Sequence, residues 1–225
     1  MSRPPIISGR SGVAVRGAFG AGADRLIAVP GTGSYQLAAR SACGDAVRRL
    51  EALSGSEATT PAHYVVGHRD QAAALVGPRY EGQWSDDARR LAARCWPGPL
   101  SLLLAGSEDR EPVLVSMAST RALRRLCRES GPWRVAPLAE VTADAVADHY
   151  SVFDVALVAD AGPCRGPGAT VVDCTGSEPW VSREGALPAS FIEAALFMGT
   201  RRRWWSEVRW PTRPPRPPPA GRRPA

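Results

Sequence analysis

The sequence predicts an α/β domain built on a mixed, twisted sheet with flanking helices. Three observations predict it. Short apolar runs of strand length are interleaved with longer stretches whose apolar residues recur at helical spacing. The two kinds do not alternate strictly, which argues against an all-parallel sheet. Proline and glycine breaks separate them, and the chain of 225 residues, 44% hydrophobic, is long enough to build its own core.

Residues 1–23, rich in Gly, Ser, Arg and Ala, read as a loose N-terminal arm with room for an edge strand. Residues 26–29 form a short apolar strand. The stretch 41–53 reads as a helix with Ser41 as N-cap, because Ala42, Ala46, Val47, Leu50 and Leu53 share one face. A strand over 63–66 and a short helix over 70–76, capped by Asp70, come next. A helix over 86–95 is stopped by Pro97-Gly98-Pro99. Strands over 100–104 and 113–115 lead to a helix over 120–128. A strand over 134–136 precedes a helix over 142–150 with Thr142 as N-cap. Buried strands over 155–159 and 170–174 follow, and Pro188 opens a last helix. The domain so delimited covers 24–199.

Charge divides the chain unevenly. Every basic residue among the 28 is arginine, and the formal net charge is +6. Eight of those arginines and a single acid, Glu207, lie beyond residue 200, so the excess sits in the tail and the body is nearly neutral. The tail, 200–225, is arginine, tryptophan and proline. It cannot build a core and reads as disordered. The five cysteines are scattered and form no C-x-x-C pair, which predicts reduced thiols and no metal site. The three histidines lack metal-ligand spacing and are given no catalytic role. With no membrane-length apolar run and no leader-like N-terminus, a cytoplasmic location is expected.

The most specific stretch is CWPGPLSLLLAG, residues 95–106. With it, in order, come VVGHRDQAAAL, DAGPCRGPGATVVDCTG and VSREGALP. Together they resemble the YrdC-like family of threonylcarbamoyl-adenylate synthases over about residues 26–192. The resemblance implies a twisted α/β sheet with flanking helices around an open concave groove. It also implies that L-threonine, bicarbonate and ATP, with Mg²⁺, give threonylcarbamoyl-AMP and pyrophosphate on the way to a tRNA modification. Double-stranded RNA is a further implied partner.

Set against the family pattern, the polar positions depart more than the apolar ones. Where the family has threonine on both sides of an acid, this chain has Gly31 and Gly33 around Thr32, followed by Tyr35. The family's lysine-glycine-arginine-proline appears as Ser54-Gly55-Ser56-Glu57. Its arginine-x-proline appears as Ser116-Met117-Ala118, and its proline-serine-alanine-asparagine as Pro137-Leu138-Ala139-Glu140. Phosphoryl chemistry relies on charge and positioning, so these exchanges predict weakened or lost catalysis. Glu140 is expected to repel a triphosphate unless Mg²⁺ or an arginine intervenes.

The candidate substrate or nucleotide contacts are Thr32, which stands in place of the family's acid, and Tyr35, Thr170 and Arg183, which match the family pattern. The last three each have a plainer reading: Tyr35 as packing beside the first strand, Thr170 as a β-branched strand residue, Arg183 as a surface ion-pair partner. No residue is assigned as catalytic. Arg121, Arg125 and Arg128 lie on one helical stripe with Arg124, and Arg201, Arg202 and Arg203 sit beside tryptophans in the tail. These are the candidate nucleic-acid contacts, against a solvated helix face and a solvated tail. The alternatives to a divergent synthase are a non-catalytic RNA- or nucleotide-binding paralogue and a carbamoyl-transfer enzyme with a changed substrate.

Overall fold

A computed structural model of the chain describes residues 2–11, 24–54, 61–76, 84–106, 111–152 and 154–197. Among the described residues, ten strands form one sheet. In chain order they are β1 (Ile6–Ser8), β2 (Ile27–Pro30), β3 (Tyr35–Arg40), β4 (Ala62–Val66), β5 (Leu100–Leu104), β6 (Val113–Met117), β7 (Trp133–Pro137), β8 (Val158–Asp160), β9 (Thr170–Cys174) and β10 (Trp180–Arg183). The spatial order is β1-β8-β2-β3-β7-β4-β6-β5-β9-β10. Parallel pairs (β1·β8, β2·β8, β4·β6, β5·β9) are mixed with antiparallel ones, as expected. Six helices are described: α1 (Gly44–Ser54), α2 (Arg69–Leu75), α3 (Asp86–Cys95), α4 (Arg121–Ser130), α5 (Ala143–His149) and α6 (Ala189–Phe197).

The helices form where capping and apolar spacing agree. In α3, Ser85 Oγ accepts from the Ala88 amide at 3.1 Å, and Asp86 and Asp87 complement the N-terminal dipole. Ala88, Leu91, Ala92 and Cys95 bury one face. The helix ends at Trp96, whose indole N–H donates to Leu100 O at 2.8 Å and whose ring meets Trp84 edge-on. Thr120 caps α4 and Gly131, at φ 89°, ends it. Thr142 caps α5 as read from the sequence.

Other boundaries shift. Ser41 is not a cap: α1 starts at Gly44, and Ser41 Oγ donates instead to Pro132 O at 2.7 Å. Asp70 is not the cap of α2. His68 is, with Gln71 Oε1 accepting from the Gly67 and His68 amides in a capping box. Strands β3 and β10 were not expected. β3 is buried almost throughout, so its sequence YQLAAR shows no polar alternation. β10 is a short, exposed edge. Within the N-terminal arm, β1 pairs in register with β8 at the opposite edge.

The core falls into three clusters. One lies between β4–β6, β9, α3 and α6, around Leu91, Leu100 and Leu102. A second joins α4 to β2 and β7 through Leu126 and Trp133, and a third joins α1 and α5 to β2, β3 and β7. All five cysteines are free thiols. No helix among the described residues is long and apolar enough to cross a membrane. The arginine-rich tail and residues 55–57 lie outside the described residues, and so do Arg201, Arg202 and Arg203.

Candidate functional site

The loop 31–34 turns tightly between β2 and β3, with the Gly31 amide donating to Ser34 O at 2.9 Å. A Cβ on Gly31 would lie 2.6 Å from that same carbonyl oxygen, and one on Gly33 would lie 3.0 Å from Gly168 Cα. The loop therefore packs backbone to backbone on segment 166–168. There Gly166 and Gly168 hold φ of 150° and 81°, a region that favours glycine. These two segments wall a cavity of about 330 Å³ whose floor is the adjoining face of the sheet.

Strand register composes that floor. Residues paired across neighbouring strands share a face. Val65 pairs with Ser116, Ser116 with Ser101, Ser101 with Val171, and Val171 with Arg183 across a register shift between Val181 and Arg183. The row crosses five strands, and His63, two residues before Val65, shares its face. Leu100, Leu102 and Leu104 of β5 point the other way, into the core. Ser101 alone breaks the apolar run of that strand toward the cavity.

The floor is held by a short polar chain. His63 Nε2 lies 2.8 Å from Ser116 Oγ, which lies 2.7 Å from Ser101 Oγ. Arg134, nearly buried and stacked over Tyr64, donates to the His63 carbonyl oxygen at 3.2 Å. Burial, reinforced by the charges of Arg134 and Arg183, pushes the imidazole down to about 4. The ring is therefore neutral at neutral pH. The three side chains form an uncharged hydrogen-bonding surface, not a cationic one.

The sequence-predicted residues divide. Thr32 and Arg183 line the cavity, with Arg183 Nη2 donating to Ala169 O at 3.2 Å. Tyr35 and Thr170 are fully buried, and neither is a lining residue. The Tyr35 hydroxyl donates to Asp160 Oδ1 and Gly162 O, at 3.2 and 3.3 Å. Burial and the Asp160 carboxylate hold that phenol above its ordinary range. Thr170 Oγ1 donates to Leu187 O at 2.6 Å and accepts from the Gly185 and Leu187 amides, clamping β9 to the turn before α6.

Glu140 does not line the cavity either. Its Oε1 lies 2.9 Å from His149 Nδ1, so the expected repulsion of a bound anion there is not built into the fold. On α4, Arg125 pairs with Glu129 at 2.8 Å, Arg128 donates to Gly67 O at 2.9 Å, and Arg121 is exposed. His63 and Ser101 are polar lining residues that sequence reasoning missed, and Ser116 was read only as the replacement of a family arginine. No local motif joins them, and only the lone serine in LSLLL signals a polar face.

Among the described lining residues Arg183 is the single permanent cation, and there is no carboxylate. No group of three or more His, Cys, Asp or Glu among the described residues could hold a metal ion. A magnesium-bound triphosphate needs several cationic or metal-ligating partners. The described residues do not fit that group.

Comparison with known proteins gives these findings. The Sua5/YciO/YrdC family model, described as telomere recombination, matches residues 22–185. The threonylcarbamoyl-AMP synthase of Pyrococcus abyssi is 28% identical over 187 residues, 76% of this chain and 54% of that protein. The chain thus spans about half the length of that relative. A Mycobacterium tuberculosis protein named as a putative threonylcarbamoyl-AMP synthase is 30% identical over 203 residues, 82% of this chain and 88% of that one. The crystal structure of P. abyssi Sua5 complexed with L-threonine superposes with a TM-score of 0.71 at 25% identity, covering 87% of this chain and 60% of that chain. With the family model matched over most of the domain, the chain belongs to the Sua5/YciO/YrdC family.

Proposed function

We propose that this chain is a divergent relative of the threonylcarbamoyl-AMP synthases. On this reading its groove binds a small molecule and forms threonylcarbamoyl-AMP slowly or not at all. The observation that carries the reading is the single cation in the described lining. Stabilising charge on a transferring phosphoryl group is the main work of such a site, and losing one such contact costs on the order of 10²–10³ in rate. If turnover persists, ATP and Mg²⁺ are the required cofactors, and tRNA receives the product.

The test is turnover. The full chain is incubated with ATP, L-threonine, bicarbonate and Mg²⁺, and threonylcarbamoyl-AMP is sought by mass spectrometry. The expected result is no product above a heat-inactivated control. Product at a rate comparable to an intact synthase overturns the reading.

A second reading is an RNA-binding role. It draws on Arg121 and Arg125, which lie exposed on α4. RNA affinity that falls steeply with salt and drops on Arg121→Ala supports it. Affinity lost only on removal of residues 200–225 moves that role to the tail. A carbamoyl transfer to another acceptor remains the third reading.

A further inference from the structure

The row Val65–Ser116–Ser101–Val171–Arg183 places the ionic and the neutral polar groups of the floor at a fixed separation. Arg183 and Ser116 are three strand spacings apart, about 14 Å between their Cα atoms. The arginine stem covers part of that distance from one side. The remaining gap fits a ligand of roughly four to six bonds.

The two ends of the row differ in chemistry. The Arg183 guanidinium carries five N–H donors, and one of its nitrogens is engaged by the Ala169 carbonyl, so donors remain for an anion. At the other end, Ser116 Oγ already has two partners, His63 Nε2 and Ser101 Oγ. A hydroxyl has one hydrogen and two lone pairs, so one further partner is left open. Depending on the imidazole tautomer and on which serine hydroxyl donates to the other, that open position either accepts from the ligand or donates to it. In neither case does it carry charge. A second anionic group there would be desolvated with no cation to pair it among the described lining residues of that end, which is costly.

We propose that the cavity selects a small monoanion with a neutral polar far end. Arg183 holds its carboxylate, and Ser116, oriented by His63 and Ser101, holds a hydroxyl or carboxamide. The proposal rests on the reading above that the groove is a small-molecule site. It deepens that reading by naming the ligand class and by making Ser116 the residue that discriminates.

The test is a binding panel on the full chain by calorimetry. The probes are γ-hydroxybutyrate and γ-ureidobutyrate, which end in neutral polar groups, and glutarate, which is of similar length and ends in a second carboxylate. The first two are expected to bind on the order of tenfold more tightly than glutarate, a difference of about 1.4 kcal/mol. Arg183→Gln is expected to abolish binding of all three. Ser116→Ala is expected to erase the preference, and Ser116→Thr, which keeps the hydroxyl, to retain it.

Three results overturn the proposal. One is equal affinity for glutarate, another is a preference that survives Ser116→Ala in folded protein, and the third is no binding by any probe. The turnover assay separates this failure from failure of the parent reading. A chain that makes threonylcarbamoyl-AMP yet keeps the panel preference defeats only the former reading. A chain that makes none and shows no preference defeats only this one.

Discussion

Strand β5 turns one face to the core and the other to the cavity, and the two faces follow different rules. Leu100, Leu102 and Leu104 pack under α3 and α6, where only shape and apolar area matter. Ser101 faces the opposite way, bonded to Ser116 of β6, which is bonded to His63 of β4. The apolar face is specified by alternation within one short segment. The polar face is specified by which residues of three distant segments land side by side. A strand can therefore keep its scaffold face while its site face is rebuilt.

Breaking the apolar face should have the largest effect. Leu102→Ala is expected to cost about 2–5 kcal/mol, because a fully buried leucine leaves a cavity between β5 and α3. Urea unfolding measures it. Ser101→Ala on the same strand should cost far less.

The polar face should show itself through pH. His63 has an ordinary value of 6.5 and is held down to about 4 in the folded chain. Between those two values the unfolded chain binds more protons than the folded one. Stability is therefore full above about pH 6.5 and is lost as pH falls toward 4, by at most about 3 kcal/mol. Chemical denaturation at pH 7 and pH 4.5 measures the loss. His63→Gln should reduce the difference, and an unchanged pH slope in that variant would remove the imidazole from the account.

Thr170 sharpens the boundary between wall and floor. Thr170→Val leaves two amides and one carbonyl without their partner inside a buried turn, with an expected cost of about 1–3 kcal/mol. If Thr170 acts only through the wall, probe affinity in the folded variant should change in step with that loss of order. The smallest effect is expected at the surface. Arg125→Ala removes an exposed pair with Glu129 and should shift stability by about 0.5 kcal/mol or less.

The same division explains what could be read from the sequence. The helix over 86–95 and the cap Thr142 were legible because their determinants lie within a few residues of each other. β3 was not, because burial on both faces erases its period, and β10 was not, because a four-residue edge has too little pattern. Of the cavity, Thr32 and Arg183 were reached through the family resemblance. Ser116 was reached only as the residue standing where the family has arginine, and its partnership with His63 was not reached at all, since 53 residues separate them and only the β4·β6 pairing brings them together.

The closeness of Gly33 to Gly168, and of Gly31 to Ser34 O, bears on which side chains the loop can hold. Two loops have settled into space that side chains would otherwise occupy. A threonine at position 31 would meet the Ser34 carbonyl oxygen of its own turn, not solvent, and would need that turn to open first. The two positions thus differ in what they admit: position 31 is closed to a side chain until its turn opens, whereas position 33 asks the facing backbone to give by only a few tenths of an ångström.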